Sequence, residues 1–260
     1  METSDKYIPR EYLALKINYC RQQLNLLPNV RLHDHRLEGT VRKRVIVDNH
    51  KYLINTPEGE QYYKIWIKRN ELERELRIYE TIWHNNFIGE PPPGIKPGKV
   101  IRLLTTGPDK QILMDKAFFD SLKNDDNVKH PKYKHYFFNG IYYRSASEKD
   151  LAIYYTEMGI PFKYEPSIMI YGLPQPVNPD FVLYFRELDN CKIHEHLGMK
   201  ESSDYLRDTR IKYSNYTNAG LIPEIDILFS HDKDGTPFDI RYMAAKLNSA
   251  IYGTITWLGA

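Results

Sequence analysis

A segment rich in proline and glycine, residues 89–98, places the strongest constraint on how this chain can fold. Proline lacks the backbone N–H that a helix interior or a central strand requires, so the segment is predicted to be an extended, fairly stiff linker. We therefore expect a domain boundary near it. Residues 1–90 are predicted to form an N-terminal arm, residues 91–140 the linker with an irregular region, and residues 141–260 the core.

The arm contains two apolar stripes with the spacing of an α-helix, one near each of its ends. The first recurs every three or four residues and consists of Leu13, Ile17, Cys20, Leu24 and Leu27. The second predicts a helix over about 58–85 and consists of Leu72, Leu76, Tyr79 and Trp83. Residues 30–54 between them are strand-like, with a hairpin turn predicted at Gly39. The arm is thus expected to be a helix, a hairpin and a second helix.

Positive charge is concentrated in the front part of the chain. The formal net charge is +6 over residues 1–140 and −4 over residues 141–260, which together give the total of +2. The candidates for contact with nucleic acid are Arg42, Lys43, Arg44, Lys64, Lys68 and Arg69. Their charged groups would contact phosphates. The aromatic rings among them would stack on unpaired bases, and these are Tyr62, Tyr63 and Trp66.

Two other interpretations of the arm stay open. In one, the charges form an ordinary solvated helix face and the aromatic rings pack in the core. In the other, the arm joins two copies of the chain as a homodimer. If the arm contacts phosphates, its partner is nucleic acid, and DNA in the first instance.

Composition excludes several classes of protein. No apolar run approaches the roughly 18 residues that a membrane span needs. The two cysteines, Cys20 and Cys191, cannot make a disulfide scaffold or a four-thiolate zinc site. A reducing, cytoplasmic location is therefore expected.

The core carries a repeating pattern of helices and strands. Helices are predicted over 145–158, 201–218 and 240–252, and strands over 162–170, 181–186, 191–196 and 225–229. The order is helix, three strands, helix, strand, helix. This order predicts an α/β or α+β fold with a mixed sheet.

Three acidic residues occupy notable places in this pattern. Glu148 lies in the first helix of the core, Asp180 opens the second strand and Glu195 lies near the end of the third. Because a short turn joins these two strands, the carboxylates of Asp180 and Glu195 would meet at one sheet edge. Adjacent carboxylates repel unless a cation lies between them, and oxygen ligands suit Mg²⁺ or Mn²⁺. Such an ion would activate water and stabilise charge on a phosphate.

Residues 143–229 resemble the PD-(D/E)XK nuclease superfamily, which has the restriction-endonuclease-like fold. The matching segments are Arg-Ser-Ala-Ser-Glu at 144–148, Tyr-Glu-Pro at 164–166, Asn-Pro-Asp-Phe at 178–181 and His-Glu-His-Leu-Gly-Met at 194–199. The resemblance implies a mixed sheet flanked by helices and metal-dependent hydrolysis of phosphodiester bonds in nucleic acid. It also implies that Glu148, Asp180 and Glu195 are catalytic and bind the metal.

One position departs from the family pattern. The family has a lysine two residues after the glutamate, where this chain has Leu197. The following helix offers Lys212, which shares one helix face with Tyr205, Thr209 and Tyr216. If this face meets the sheet edge, Lys212 would replace the missing amine. Around the acids, Tyr205, Tyr216 and His196 would then be supporting residues.

Without a lysine at the site, a different function is expected. The fold would be a decayed nuclease that serves as a nucleic-acid-binding or protein-interaction module. A competing metal site is also open, because His194 and His196 alternate on a strand and point to one side of it. With Glu201 nearby, they would bind a transition metal.

Overall fold

The computed structural model describes residues 7–37, 40–92, 95–97, 103–127, 135–198, 203–232 and 238–257. The chain forms two compact units. We call residues 13–95 with 258–260 the arm unit, and residues 1–12 with 96–257 the core unit. The hairpin turn predicted at Gly39 lies outside the described residues.

The arm unit is built from two helices and a three-stranded antiparallel sheet. The chain order is α1 (Arg10–Leu26), β1 (Val30–Leu37), β2 (Thr40–Val47), β3 (His50–Leu53) and α2 (Pro57–Asn86), with α1 beginning in the core unit. The strands lie in the order β1-β2-β3. Asp48 and Asn49 have φ of 45° and 66°, which suits the tight turn that adds β3 to the predicted hairpin.

Local chemistry explains where α2 begins. Thr56 is its N-cap and accepts a hydrogen bond from Gly59 N at 3.1 Å, and Pro57 occupies the first turn, where its missing N–H is not needed. The helix packs its aromatic residues on one face of the sheet. The apolar contacts involve Val30, Leu32, Val45, Val47, Tyr52, Tyr62, Tyr63 and Trp66.

The remaining strands and helices follow α2 along the chain. They are β4 (Ile95–Pro97), β5 (Leu103–Gly107), β6 (Lys110–Leu113), α3 (Lys116–Ser121), β7 (Tyr136–Phe138), β8 (Ile141–Tyr143), α4 (Ala146–Glu157), β9 (Phe162–Tyr164), β10 (Phe181–Phe185), β11 (Asn190–Leu197), α5 (Ser203–Asn218), β12 (Ile227–His231), α6 (Ile240–Tyr252) and β13 (Ile255–Trp257). No helix in these ranges is both long enough and apolar enough to cross a membrane.

A four-stranded mixed sheet lies at the centre of the core unit. Its order is β12-β11-β10-β9, in which β11 and β12 are parallel and the other neighbours antiparallel. All five residues of β10 are buried, which is expected for a strand covered on both faces. The predicted mixed α+β architecture is confirmed. The strand predicted over 162–170 is shorter, because Glu165 adopts a left-handed φ of 43° and ends it.

Candidate functional site

The register of β10 and β11 brings two of the predicted acids together. Phe181 pairs with His194, so the preceding Asp180 lies across from Glu195. The backbone N–H of His196 donates to Asp180 Oδ2 at 2.6 Å. The side chain of Glu195 is only 2% exposed, whereas Asp180 is half-buried. The two carboxyl groups therefore meet at the end of the sheet, as the sequence predicts.

Helix α5 supplies the partners of Glu195. Lys212 Nζ donates to Glu195 Oε2 at 2.9 Å, and the Tyr216 hydroxyl donates to Glu195 Oε1 at 2.6 Å. Lys212 and Tyr216 are one helical turn apart, so the helix face that carries them does meet the sheet edge. The side chain of Tyr205, predicted on the same face, lies outside the described residues. We call Asp180, Glu195, Lys212 and Tyr216 the acid–lysine cluster.

Glu148 reaches this neighbourhood from the N-terminus of α4. The helix starts with Ser145 as N-cap, which accepts from Glu148 N at 3.1 Å. Glu148 Oε2 in turn accepts from Arg144 N at 3.1 Å and from the Tyr164 hydroxyl at 2.6 Å. This Ser-x-x-Glu arrangement satisfies backbone donors at a helix start, so Glu148 has a structural role here.

Burial and neighbouring charges control protonation in the acid–lysine cluster. Burial of its carboxyl group, followed by the charge of Glu195, raises the pKa of Asp180 well above its usual range. Glu148 raises this pKa further, whereas Lys212 opposes the rise. Burial and Glu195 also raise the pKa of Tyr216, so its hydroxyl stays protonated and donates. Burial thus favours the protonated form of Asp180.

The predicted Mg²⁺ or Mn²⁺ site is wrong. Over the described ranges, no three His, Cys, Asp or Glu side chains are grouped so that they could hold a metal ion. The physical reason is that protein donors already engage the acids predicted as metal ligands. Lys212 and Tyr216 bind both oxygens of Glu195, and Glu148 accepts two hydrogen bonds at Oε2. The Lys212 ammonium supplies the positive charge that a cation was predicted to bring between Asp180 and Glu195.

Within the described residues, His194 and His196 belong to no group of three side chains that could hold a metal ion. The Tyr155 hydroxyl lies 2.7 Å from His194 Nδ1, and Ser230 Oγ lies 2.7 Å from both His194 Nε2 and His196 Nδ1. His196 Nε2 lies 2.9 Å from Asp232 Oδ1. Burial lowers the pKa of His194 well below its usual range, so this imidazole is neutral. The two histidines therefore link β11, β12 and α4 through their ring nitrogens.

The partners of these histidines were missed by sequence reasoning. Ser230 is 1% exposed and joins the two rings, and Ser147 Oγ donates to Asp232 Oδ1 at 2.7 Å. Only the parallel pairing of β12 with β11 places Ser230 opposite His196. No local spacing signals that contact. Glu201, the predicted third ligand of the competing site, lies outside the described residues.

A second candidate site lies on the sheet of the arm unit. Arg31 pairs with Ile46 and then Lys51, His33 pairs with Arg44, and His35 pairs with Arg42. Side chains directly opposite each other point to the same face of a sheet. We call this face the basic face, and its charged or titratable members are Arg31, His33, His35, Arg42, Arg44 and Lys51. The opposite face carries the apolar residues that pack on α2.

The basic face carries no compensating acid among the residues described. Its other described positions are Ile46 and Leu53, and Asp34 lies on the opposite face, across from Lys43. None of the four arginine and lysine side chains forms an ion pair with a described carboxylate. Arg44 is the largest cause that lowers the pKa of His35, ahead of burial. Positive charge is therefore concentrated on one exposed surface.

The structure distributes the six predicted basic candidates over several surfaces. Only Arg42 and Arg44 lie on the basic face, because side chains alternate along a strand and Lys43 points the other way. Lys64 pairs with Glu60 at 2.8 Å. Arg69 donates to Leu24 O and Leu27 O at 2.9 and 3.0 Å, at the end of α1. Lys68 is exposed on α2.

Sequence reasoning also missed four members of the basic face. Arg31, His33 and His35 alternate along β1, a period-two signal that could have been recognised. Lys51 joins them only through the pairing of β2 with β3. The aromatic rings predicted to stack on bases instead pack against the other face of the sheet, and these are Tyr62, Tyr63 and Trp66.

The structure thus has two candidate sites, the acid–lysine cluster of the core unit and the basic face of the arm unit. The acid–lysine cluster joins a carboxyl group with a raised pKa, an ion pair and a tyrosine, and the basic face presents cations and imidazoles to solvent. Comparisons of the chain with protein-family models, with curated proteins and with solved structures found no match.

Proposed function

We propose that this protein binds nucleic acid through the basic face of the arm unit. The observation that carries the proposal is the set of four arginine and lysine side chains on one sheet face, with no described acidic side chain among them. A polyanion that meets such a face replaces counterions and gains charge-assisted hydrogen bonds to its phosphates. DNA is the polymer that we expect.

We further propose that the core unit has a restriction-endonuclease-like fold. Helix α4 precedes β9, β10 and β11, and α5 then leads to β12 in a mixed sheet. The resemblance to the PD-(D/E)XK superfamily implies such a sheet flanked by helices. The proposal therefore describes a chain that joins a nuclease-like core unit to an arm unit that binds nucleic acid.

Removing two charges from the basic face tests the proposal. Arg42→Ala combined with Arg44→Ala is expected to weaken binding of a fluorescent DNA duplex about 10- to 100-fold and to lower the salt-dependence slope by about 2, because two phosphate contacts are lost. Fluorescence anisotropy at several salt concentrations measures both quantities.

The matched control removes two charges that lie off the basic face. Lys43→Ala combined with Lys64→Ala changes the net charge equally, but Lys43 is on the opposite face and Lys64 pairs with Glu60. We expect a much smaller change in affinity. Equal losses in the two double variants would contradict a binding site on the basic face.

A second candidate function, phosphodiester hydrolysis by the core unit, is favoured by the convergence of Asp180, Glu195 and Lys212. Asp180 has a raised pKa, whereas Glu195 forms an ion pair. A carboxyl group with a raised pKa beside an ion-paired carboxylate can act as a general acid and protonate the leaving oxygen of a phosphodiester. Lys212, whose side chain is 45% exposed, would stabilise charge on the phosphate.

Plasmid cleavage tests this second function. Asp180→Ala is expected to lower the cleavage rate at least about 10²-fold, because the proton donor is lost. Asp204→Ala, which removes an exposed carboxylate from the first turn of α5, serves as the control. Cleavage that is unchanged in Asp180→Ala would contradict the assignment. Parallel assays in EDTA and in Mg²⁺ test for a metal, and cleavage that EDTA abolishes would contradict a metal-free site.

A further inference from the structure

We propose that His33 and His35 bind phosphate groups as imidazolium ions, so that nucleic acid binding to the basic face takes up protons. This inference rests on the proposed function and adds two binding residues and a pH dependence to the same surface. It predicts tighter binding in mildly acidic than in mildly alkaline solution.

The positions of the two histidines carry the inference. They are alternate residues of β1 and therefore lie about 7 Å apart along one face of the strand. His33 pairs with Arg44 and His35 with Arg42, and directly paired side chains have Cβ atoms about 5 Å apart. A phosphate held by either arginine would thus lie within reach of an imidazole. His33 is exposed and His35 half-buried, so both are accessible to a ligand.

The surrounding charges favour the uncharged form of His35 in the free protein. Arg44 is the largest cause that lowers its pKa, and burial, His33, Lys51 and Arg42 act in the same direction. Arg31 shares the face, and Asp34, the acid between the two histidines in sequence, points to the opposite face. Helix α2 packs on that opposite face as well. The groups that face the His35 imidazole from β1, β2 and β3 therefore disfavour a positive charge on it.

A bound phosphate reverses this balance. Its negative charge offsets the field of the arginines and favours the imidazolium form, which donates hydrogen bonds from both ring nitrogens. By linkage, a ligand that favours the protonated form binds more tightly as the pH falls. As the pH falls, the affinity begins to rise at a pH near the ordinary histidine pKa of about 6.5 or above it. It rises until the histidines are protonated in the free protein as well.

Binding measured against pH tests the inference. The dissociation constant of the full chain for a fluorescent DNA duplex is measured between about pH 5.5 and 8 at constant ionic strength, where the histidine charge changes. We expect the wild-type protein to bind about 10- to 100-fold more tightly at the acidic end, because each coupled proton contributes up to tenfold for each unit of pKa change. His33→Gln combined with His35→Gln is expected to bind with little pH dependence.

His50→Gln is the matched control. His50 lies in the same sheet but pairs with the buried Val47, away from the basic face, and its Nδ1 lies 3.0 Å from Asp48 O. This variant should keep the wild-type pH dependence. Circular dichroism of each variant over the same pH range shows whether the fold is kept.

The outcomes separate this inference from the proposed function. If binding depends on Arg42 and Arg44 but not on pH, or if the double histidine variant keeps the wild-type pH dependence, the inference is overturned and the proposed function stands. If duplex binding is absent, or is unaffected by Arg42→Ala with Arg44→Ala at every pH, both fall. Binding of anionic phospholipid vesicles in place of the duplex would assign the surface to membranes and would also contradict both.

Discussion

Gly59→Ala is expected to destabilise the arm unit by about 3–5 kcal/mol, which is exceptional for a single methyl group. A Cβ at Gly59 would lie 1.7 Å from Leu53 O and 2.5 Å from Leu53 C. This carbonyl group cannot move freely, because it accepts hydrogen bonds from Thr56 N at 3.0 Å and from Thr56 Oγ1 at 2.7 Å. The first turn of α2 would have to separate from the end of β3.

Equilibrium unfolding in urea, monitored by circular dichroism, measures this loss in the free energy of unfolding. Gly253→Ala is the control, since a Cβ there meets its nearest neighbours at 3.6 Å and the backbone φ is −66°. We expect a change within about 1 kcal/mol for this control. A Gly59→Ala protein as stable as the wild type would contradict the close approach of β3 and α2. Destabilising the arm unit in this way should also weaken nucleic acid binding, because α2 supports the sheet that carries the basic face.

Lys212→Met is expected to cost about 2–4 kcal/mol of stability at neutral pH, because it leaves a buried carboxylate without its positive partner. The side chain of Glu195 is 2% exposed, and that of Lys212 is 45% exposed, so the loss should be smaller than for a fully buried pair. Lys212 also opposes the rise in the pKa of Asp180, and its removal raises this pKa further.

The pH dependence of this loss has a definite sign. A carboxyl group whose pKa is higher in the folded than in the unfolded state contributes stability that is present below the unfolded value of about 3.9 and lost as the pH rises through the folded value. The Lys212→Met deficit should therefore be largest in alkaline solution and shrink as the pH falls. Urea unfolding at pH values on either side of neutrality measures this change.

A double-mutant cycle separates the ion pair from simple loss of packing. Lys212→Met combined with Glu195→Gln removes both charges and should recover most of the stability, since a neutral amide needs no cation. Lys246→Met is the matched control. Its Nζ also lies 2.9 Å from a carboxylate, but this partner, Glu224, is 45% exposed. We expect a loss below about 1 kcal/mol for the control. Equal losses of stability in the two lysine variants would contradict the expectation that burial of Glu195 increases the cost of removing its partner.

Much of the local structure could be predicted from the sequence. The apolar stripe from Leu72 to Trp83 predicts α2 over about 58–85, and the helix spans Pro57–Asn86. The pattern of the core predicts its mixed sheet and places Asp180 and Glu195 on adjacent strands. These features are local or depend on a short turn, so sequence spacing carries them.

The composition of the two candidate sites depends on contacts that local sequence spacing does not predict. The run Arg42-Lys43-Arg44 looks like one basic cluster in sequence, but the alternation of a strand places Lys43 on the other face. Arg31, His33 and His35 join Arg42 and Arg44 only through the register of β1 with β2. That register depends on which face packs against α2, a contact between residues distant in the chain.

The same distinction holds for the acids. Their order along the chain predicts that carboxylates converge, and convergence by itself leads to the expectation of a metal ion. Which positive group neutralises them depends on how α5 packs on the sheet, and that packing brings Lys212 to Glu195. Local periodicity and short connections are thus enough to predict the long helices, the mixed sheet and the meeting of Asp180 with Glu195. The lysine that stands in for the predicted cation, and the face that histidines share with arginines, depend on long-range packing and strand register, which no local pattern encodes.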